Sequence, residues 1–211
     1  TEIYTLSLHD ALPIFEPERV YDSDGWEIPL SYLGEMRRSD CFVTDLSHVP
    51  KWTIQGADLD TRKPLGLAMP GKPRLAVLSE GSLLARLSPS EARLLVLGKE
   101  RPLLDDPFAT DVTDGYAALG VVGPKCYALL SKLSGVDLAR DPVPSVALAP
   151  LDDVTCFIAQ LEGQGKTPGL VIACARGYGH FLLDVALDAG REYGITVAGW
   201  ARFGAWLGLA A

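Results

Sequence analysis

The chain has 211 residues, of which 48% are hydrophobic and 22% charged, with a formal net charge of −8. That is room for one large domain or two small ones with a real core. The acidic balance, with no Lys/Arg-rich run, repels phosphate backbones and argues against a nucleic-acid partner, and no apolar run reaches the roughly 18–20 residues that span a bilayer.

Residues 1–14 (TEIYTLSLHDALPI) resemble a translated sequencing-adapter read-through and lack the basic start and small-residue cleavage site of a signal peptide. They are set aside from the fold. The rest is expected to form one domain in two parts, 15–110 and 111–211. Residues 15–40 are polar and turn-rich, with aromatic anchors at Phe15, Tyr21, Trp26 and Tyr32. Strands are predicted at 41–46 and 52–55, the second broken at Gly56, and irregular chain over 61–73, where Pro and Gly recur. Residues 75–78 and 83–87 read as a hairpin about Glu80-Gly81. Ser88-Pro89-Ser90-Glu91 has the form of a helix start and predicts a single turn feeding a strand. Residues 99–110 read as a linker.

In the second part, 116–122 is a strand of low polarity. A helix over about 124–134 opens at Gly123-Pro124, with Cys126, Leu129, Leu130 and Leu133 on one face. Strands follow at 143–148, 155–161 and 170–175. The spacing of Phe181, Val185, Ala189 and Tyr193 predicts a helix over 180–193, and Trp200, Phe203 and Trp206 fit a helical core face. The order is that of an α+β fold of the split βαβ kind with antiparallel sheets. The four cysteines at 41, 126, 156 and 174 lie at no C-x-x-C or zinc-ligand spacing, so buried free thiols and a cytoplasmic location are expected. Asp105-Asp106 reads as a solvated linker pair and Asp152-Asp153 as a turn. No dinucleotide, P-loop, nucleophile-elbow or zinc-protease motif occurs.

Several segments resemble the glycine-cleavage T-protein (aminomethyltransferase) family. They are Gly25-Trp26-Glu27-Ile28-Pro29-Leu30-Ser31-Tyr32, Thr44-Asp45-Leu46-Ser47-His48, Ile54-Gln55-Gly56-Ala57-Asp58, Val122-Gly123-Pro124-Lys125, and the stretch from Asp188 through Gly199. Leu65 to Pro70, Leu87 to Glu91, Asp111 to Leu119 and Val136-Asp137-Leu138 are more similar to the gamma subunit of heterotetrameric sarcosine oxidase, a short relative. The resemblance implies a T-protein-like folate-binding fold, with Trp26, Tyr32, Asp45, Ser47 and His48 as folate-pocket candidates and tetrahydrofolate as the possible cofactor. It also implies flavin-binding subunits of an oxidase complex as partners.

The family keeps an acidic pair in the hairpin where this chain reads Ser79-Glu80-Gly81-Ser82-Leu83-Leu84-Ala85-Arg86. An apolar side chain there neither takes a proton nor stabilises a cation. The family's folate-gripping strand is also absent over 165–172. The expectation is therefore an accessory subunit with no catalytic residue and no metal. The alternatives are a divergent tetrahydrofolate-dependent aminomethyltransferase or demethylase, which would draw its carboxylate from Asp45, Asp111 or Asp114, and a folate-binding module of iron–sulfur maintenance.

Overall fold

The computed structural model describes residues 16–23, 25–35, 40–98 and 101–209; residues 1–14, set aside above, lie outside them. The fold is α+β. Its elements are β1 (Pro17–Ser23), β2 (Trp26–Tyr32), β3 (Phe42–Asp45), β4 (Lys51–Gln55), β5 (Ala76–Ser79), β6 (Ser82–Arg86), β7 (Glu91–Val96), β8 (Ala109–Asp111), β9 (Tyr116–Val122), α1 (Cys126–Leu133), β10 (Ser145–Leu151), β11 (Val154–Glu162), β12 (Pro168–Ala175), α2 (Gly179–Gly190), β13 (Thr196–Val197) and α3 (Trp200–Leu207).

Two sheets carry the core. The six-stranded sheet runs β10-β11-β12-β9-β3-β13 and the five-stranded sheet β5-β6-β7-β4-β8. All pairs are antiparallel except β13 with β3. The β12–α2–β13 crossover is split, because β9 and β3 lie between its strands. Helices α1 and α2 cover one face of the larger sheet, packing Leu129, Leu130, Leu182, Leu183 and Ala186 onto Val43, Leu119, Val121, Ile158 and Ile172. The other face meets α3 and the smaller sheet, where Phe42, Ala118, Phe157 and Val171 pack with Leu83, Ala85, Leu95, Leu97 and Phe203. The outer face of the smaller sheet buries Trp52, Ile54, Leu84 and Leu94 under Leu59, Leu65, Leu67 and Met69 from the irregular 59–69 segment.

This layering explains why the strands read as continuous apolar runs: both faces of each large sheet are covered. Leu83 and Leu84 are completely buried on opposite faces of β6. A carboxylate at either position would be desolvated inside the core.

The structure corrects three readings. Residues 15–40 contain the β1–β2 hairpin, whose outer strand is mostly solvent-exposed, so its polarity concealed it. Ser88-Pro89-Ser90 forms, as expected, a single turn feeding a strand: it joins β6 to β7, with the Leu87 and Ser88 N–H groups donating to the Glu91 carbonyl. The 99–110 linker ends in β8, which pairs with β4. Asp106 is not simply solvated, since it accepts from Arg62 at 2.9 Å with its side chain 16% exposed. Elsewhere the predicted helices and the predicted hairpin occur with ends displaced by one to three residues, and all four cysteines are buried free thiols.

Candidate functional site

The β1–β2 arm leans on α3 at one close contact. A Cβ at Gly199 would stand 2.2 Å from the Leu30 carbonyl oxygen, so only glycine permits this approach. Gly199 is also the N-cap of α3, and its N–H donates to Glu35 Oε2 at 3.0 Å. The same oxygen accepts the Tyr32 N–H at 2.9 Å. Glu35 is 6% exposed. One buried carboxylate thus joins the end of the arm to the start of the last helix.

Between the arm, the 46–50 turn and α3 lies a cleft lined by Tyr21, Ser23, Trp26, Ile28, His48, Pro50, Gly98, Arg101 and Trp200. The His48 and Trp200 rings meet edge to face with centroids 6.2 Å apart. Behind the cleft wall, the Arg176 guanidinium lies 4.7 Å from the centroid of the Trp26 ring, a cation–π contact. At the mouth, Arg101 pairs with Asp111 at 2.6 Å. About 30 Å³ is open to water centres, which is space for one or two waters. Among the described residues no aspartate or glutamate lines the cleft.

The turn that presents His48 is built by local hydrogen bonds. Asp45 Oδ1 accepts the Ser47 N–H at 2.8 Å, and Ser47 Oγ accepts the Ala118 N–H at 3.1 Å. The ammonium of Lys51, 1% exposed, donates to the Ser47 and Val49 carbonyls, each at 2.7 Å. Burial pulls the Lys51 pKa down to about 7, opposed by the charge of Asp45. Burial, reinforced by Lys51, also holds the His48 imidazole well below its usual range, so it stands neutral at physiological pH. Tyr32 is pushed upward by burial and then by the charges of Asp45 and Glu35.

The five sequence-derived candidates therefore separate. Trp26 and His48 share the cleft. Tyr32 lines a different groove with Glu35, Leu30 and Arg202 on the other side of the arm. Asp45 and Ser47 shape the turn and do not line the cleft. Arg101, Trp200, Lys51 and Glu35 escaped the sequence reading. Trp200 was visible only as a helical core residue. Glu35 carried no local signal, because its partner Gly199 is 164 residues away.

Among the described residues the cleft offers a pterin aromatic walls at Trp26 and Trp200 but no acid. Asp111 is held by the Thr113 N–H at 2.9 Å and by Arg101.

No family model matches the chain, and no curated protein sequence does. Solved structures do. The fold superposes on a chain of the heterotetrameric sarcosine oxidase from Corynebacterium sp. U-96, solved with pyrrole 2-carboxylate, with a TM-score of 0.61. The identity is 15%, and the match covers 76% of this chain and 90% of that one. The chain therefore has an α+β fold similar to that of a sarcosine oxidase component.

Proposed function

We propose that the chain is a T-protein-like accessory subunit of an amine-oxidising complex of the sarcosine oxidase gamma type, assembling with flavin-binding subunits and contributing no proton-transfer chemistry itself. One observation carries this reading: the hairpin positions where the resemblance places an acid pair are the core leucines Leu83 and Leu84. The fold similarity supports membership of such a complex, since the matched chain is itself part of a heterotetramer.

The test has two arms. Co-expressed with the two flavin-binding subunits of a heterotetrameric sarcosine oxidase, the chain should co-elute as a stoichiometric complex. Alone with tetrahydrofolate and formaldehyde, which is already at the methylene oxidation level, it should not accelerate formation of methylene-tetrahydrofolate. Methylene transfer by the isolated chain refutes the proposal.

A second reading, a folate-dependent transferase, draws on the Trp26–Tyr32 segment, whose Trp26 does line the cleft. It requires stoichiometric tetrahydrofolate binding by calorimetry, abolished by Trp26→Ala. Absence of binding heat removes it.

A further inference from the structure

Cys156 and Cys174 face one another across β11 and β12. The register Phe157↔Ala173 extended outward by one residue sets them opposite. The type of pair follows from the preceding hairpin. β10 and β11 are joined by the two-residue turn Asp152-Asp153, with Leu151 opposite Val154, and the pair flanking such a turn is hydrogen-bonded. Along β11, even-numbered residues then direct their backbone groups to β10 and odd-numbered ones to β12. Pro150, which has no N–H, falls opposite Thr155, where none is needed. Cys156 and Cys174 are thus a non-hydrogen-bonded pair, with Cα atoms about 4.5 Å apart. A disulfide spans Cα separations of about 4.4–6.8 Å.

Both thiols lie in the core beneath α1 and α2. The Cys156 thiol donates to the Val154 carbonyl at 3.3 Å, and the proximity of the two thiols holds the Cys156 pKa down and pushes the Cys174 pKa up. Both are fully buried, with Leu151 and Val154 continuing the same core layer toward the end of the sheet, so an oxidant reaches the sulfurs when this end of the sheet opens locally. Cys126 differs, because burial pushes its thiol up to about 12.

We propose that Cys156 and Cys174 are a dithiol that hydroperoxides oxidise reversibly to an intramolecular disulfide. The Cys156 sulfur attacks the terminal peroxide oxygen, cleaving the O–O bond, and the displaced alkoxide or hydroxide takes the Cys156 thiol proton and leaves as alcohol or water. The Cys174 sulfur then attacks the resulting Cys156 sulfenic acid, forming the S–S bond, and the Cys174 thiol proton leaves with the sulfenic hydroxyl as water. The two sulfurs are oxidised together by two electrons and the peroxide is reduced by two.

The experiment treats the native full chain with hydrogen peroxide, unfolds it in an alkylating agent and counts free thiols by intact mass and peptide mapping. The expected result is a fall from four thiols to two, with peptides carrying Cys156 and Cys174 linked, fully restored by dithiothreitol. Cys156→Ala and Cys174→Ala, first shown to be folded by circular dichroism, should form no intramolecular link. Persistence of all four thiols at a dose that fully oxidises free glutathione overturns the proposal. So does a link between any other cysteines. The wild-type mapping decides the matter even if a variant fails to fold.

Discussion

Glu35→Ala tests whether one carboxylate holds the arm to the last helix. Glu35 Oε2 accepts N–H groups from Tyr32 and Gly199, and Glu35 is buried. Removing it orphans two donors, each worth about 1–3 kcal/mol when left unsatisfied. It also removes a negative charge from the α3 N-terminus, worth about 0.3–1 kcal/mol. The groove beside Glu35 admits water, so rehydration recovers part of the loss and the expected destabilisation is about 2–4 kcal/mol. For a chain of this length that is a fall in Tm of about 5–15 °C. Glu35→Gln keeps an acceptor oxygen and loses only charge assistance, so about 1–2 kcal/mol is expected. Urea unfolding of the three proteins, followed by tryptophan fluorescence, reads the difference. If Glu35→Ala lies within 0.5 kcal/mol of wild type, or Glu35→Gln is as damaging as Glu35→Ala, the joint does not work as described.

Lys51 gives a pH signature. Its folded pKa, about 7, lies below its ordinary value of 10.5, so the unfolded chain binds more protons between those limits and stability rises with pH there. From pH 7 to 8.5 Lys51 contributes a gain of about 1.5 kcal/mol, while ionisation of the unfolded thiols, ordinarily near 9.0, offsets up to about 0.6 kcal/mol in wild type and variant alike; the stability of wild type relative to Lys51→Met should therefore rise by about 1.5 kcal/mol over that interval, and an equal slope in both proteins would sink the assignment. Arg86, its side chain 7% exposed, donates to the Pro70, Pro89 and Ser88 carbonyls and pairs with Asp60. Arg86→Met leaves the Pro70, Ser88 and Pro89 carbonyls without this donor, should cost about 2–4 kcal/mol and should open the 60–74 segment to trypsin at Arg62 and Arg74; unchanged digestion kinetics would contradict that role.

The sequence alone carried what is local. The spacing of Leu129, Leu130 and Leu133 marked α1, Phe181 to Ala189 marked α2, and Glu80-Gly81 marked the β5–β6 turn, because periodicity and turn chemistry act within a few residues. It also marked the leucines of β6 as unable to do acid–base work, which is a property of the side chain wherever it lies. The exposed strand β1 was missed because a solvated edge lacks apolar alternation. Only the tertiary structure decided that Trp26 and His48 share a wall while Tyr32 faces elsewhere, that Lys51 is enclosed, and that Glu35 meets Gly199. Those facts depend on contacts between residues far apart in the chain, formed when two sheets and three helices bury their faces together, and no short window of sequence encodes which distant backbone N–H a carboxylate will find.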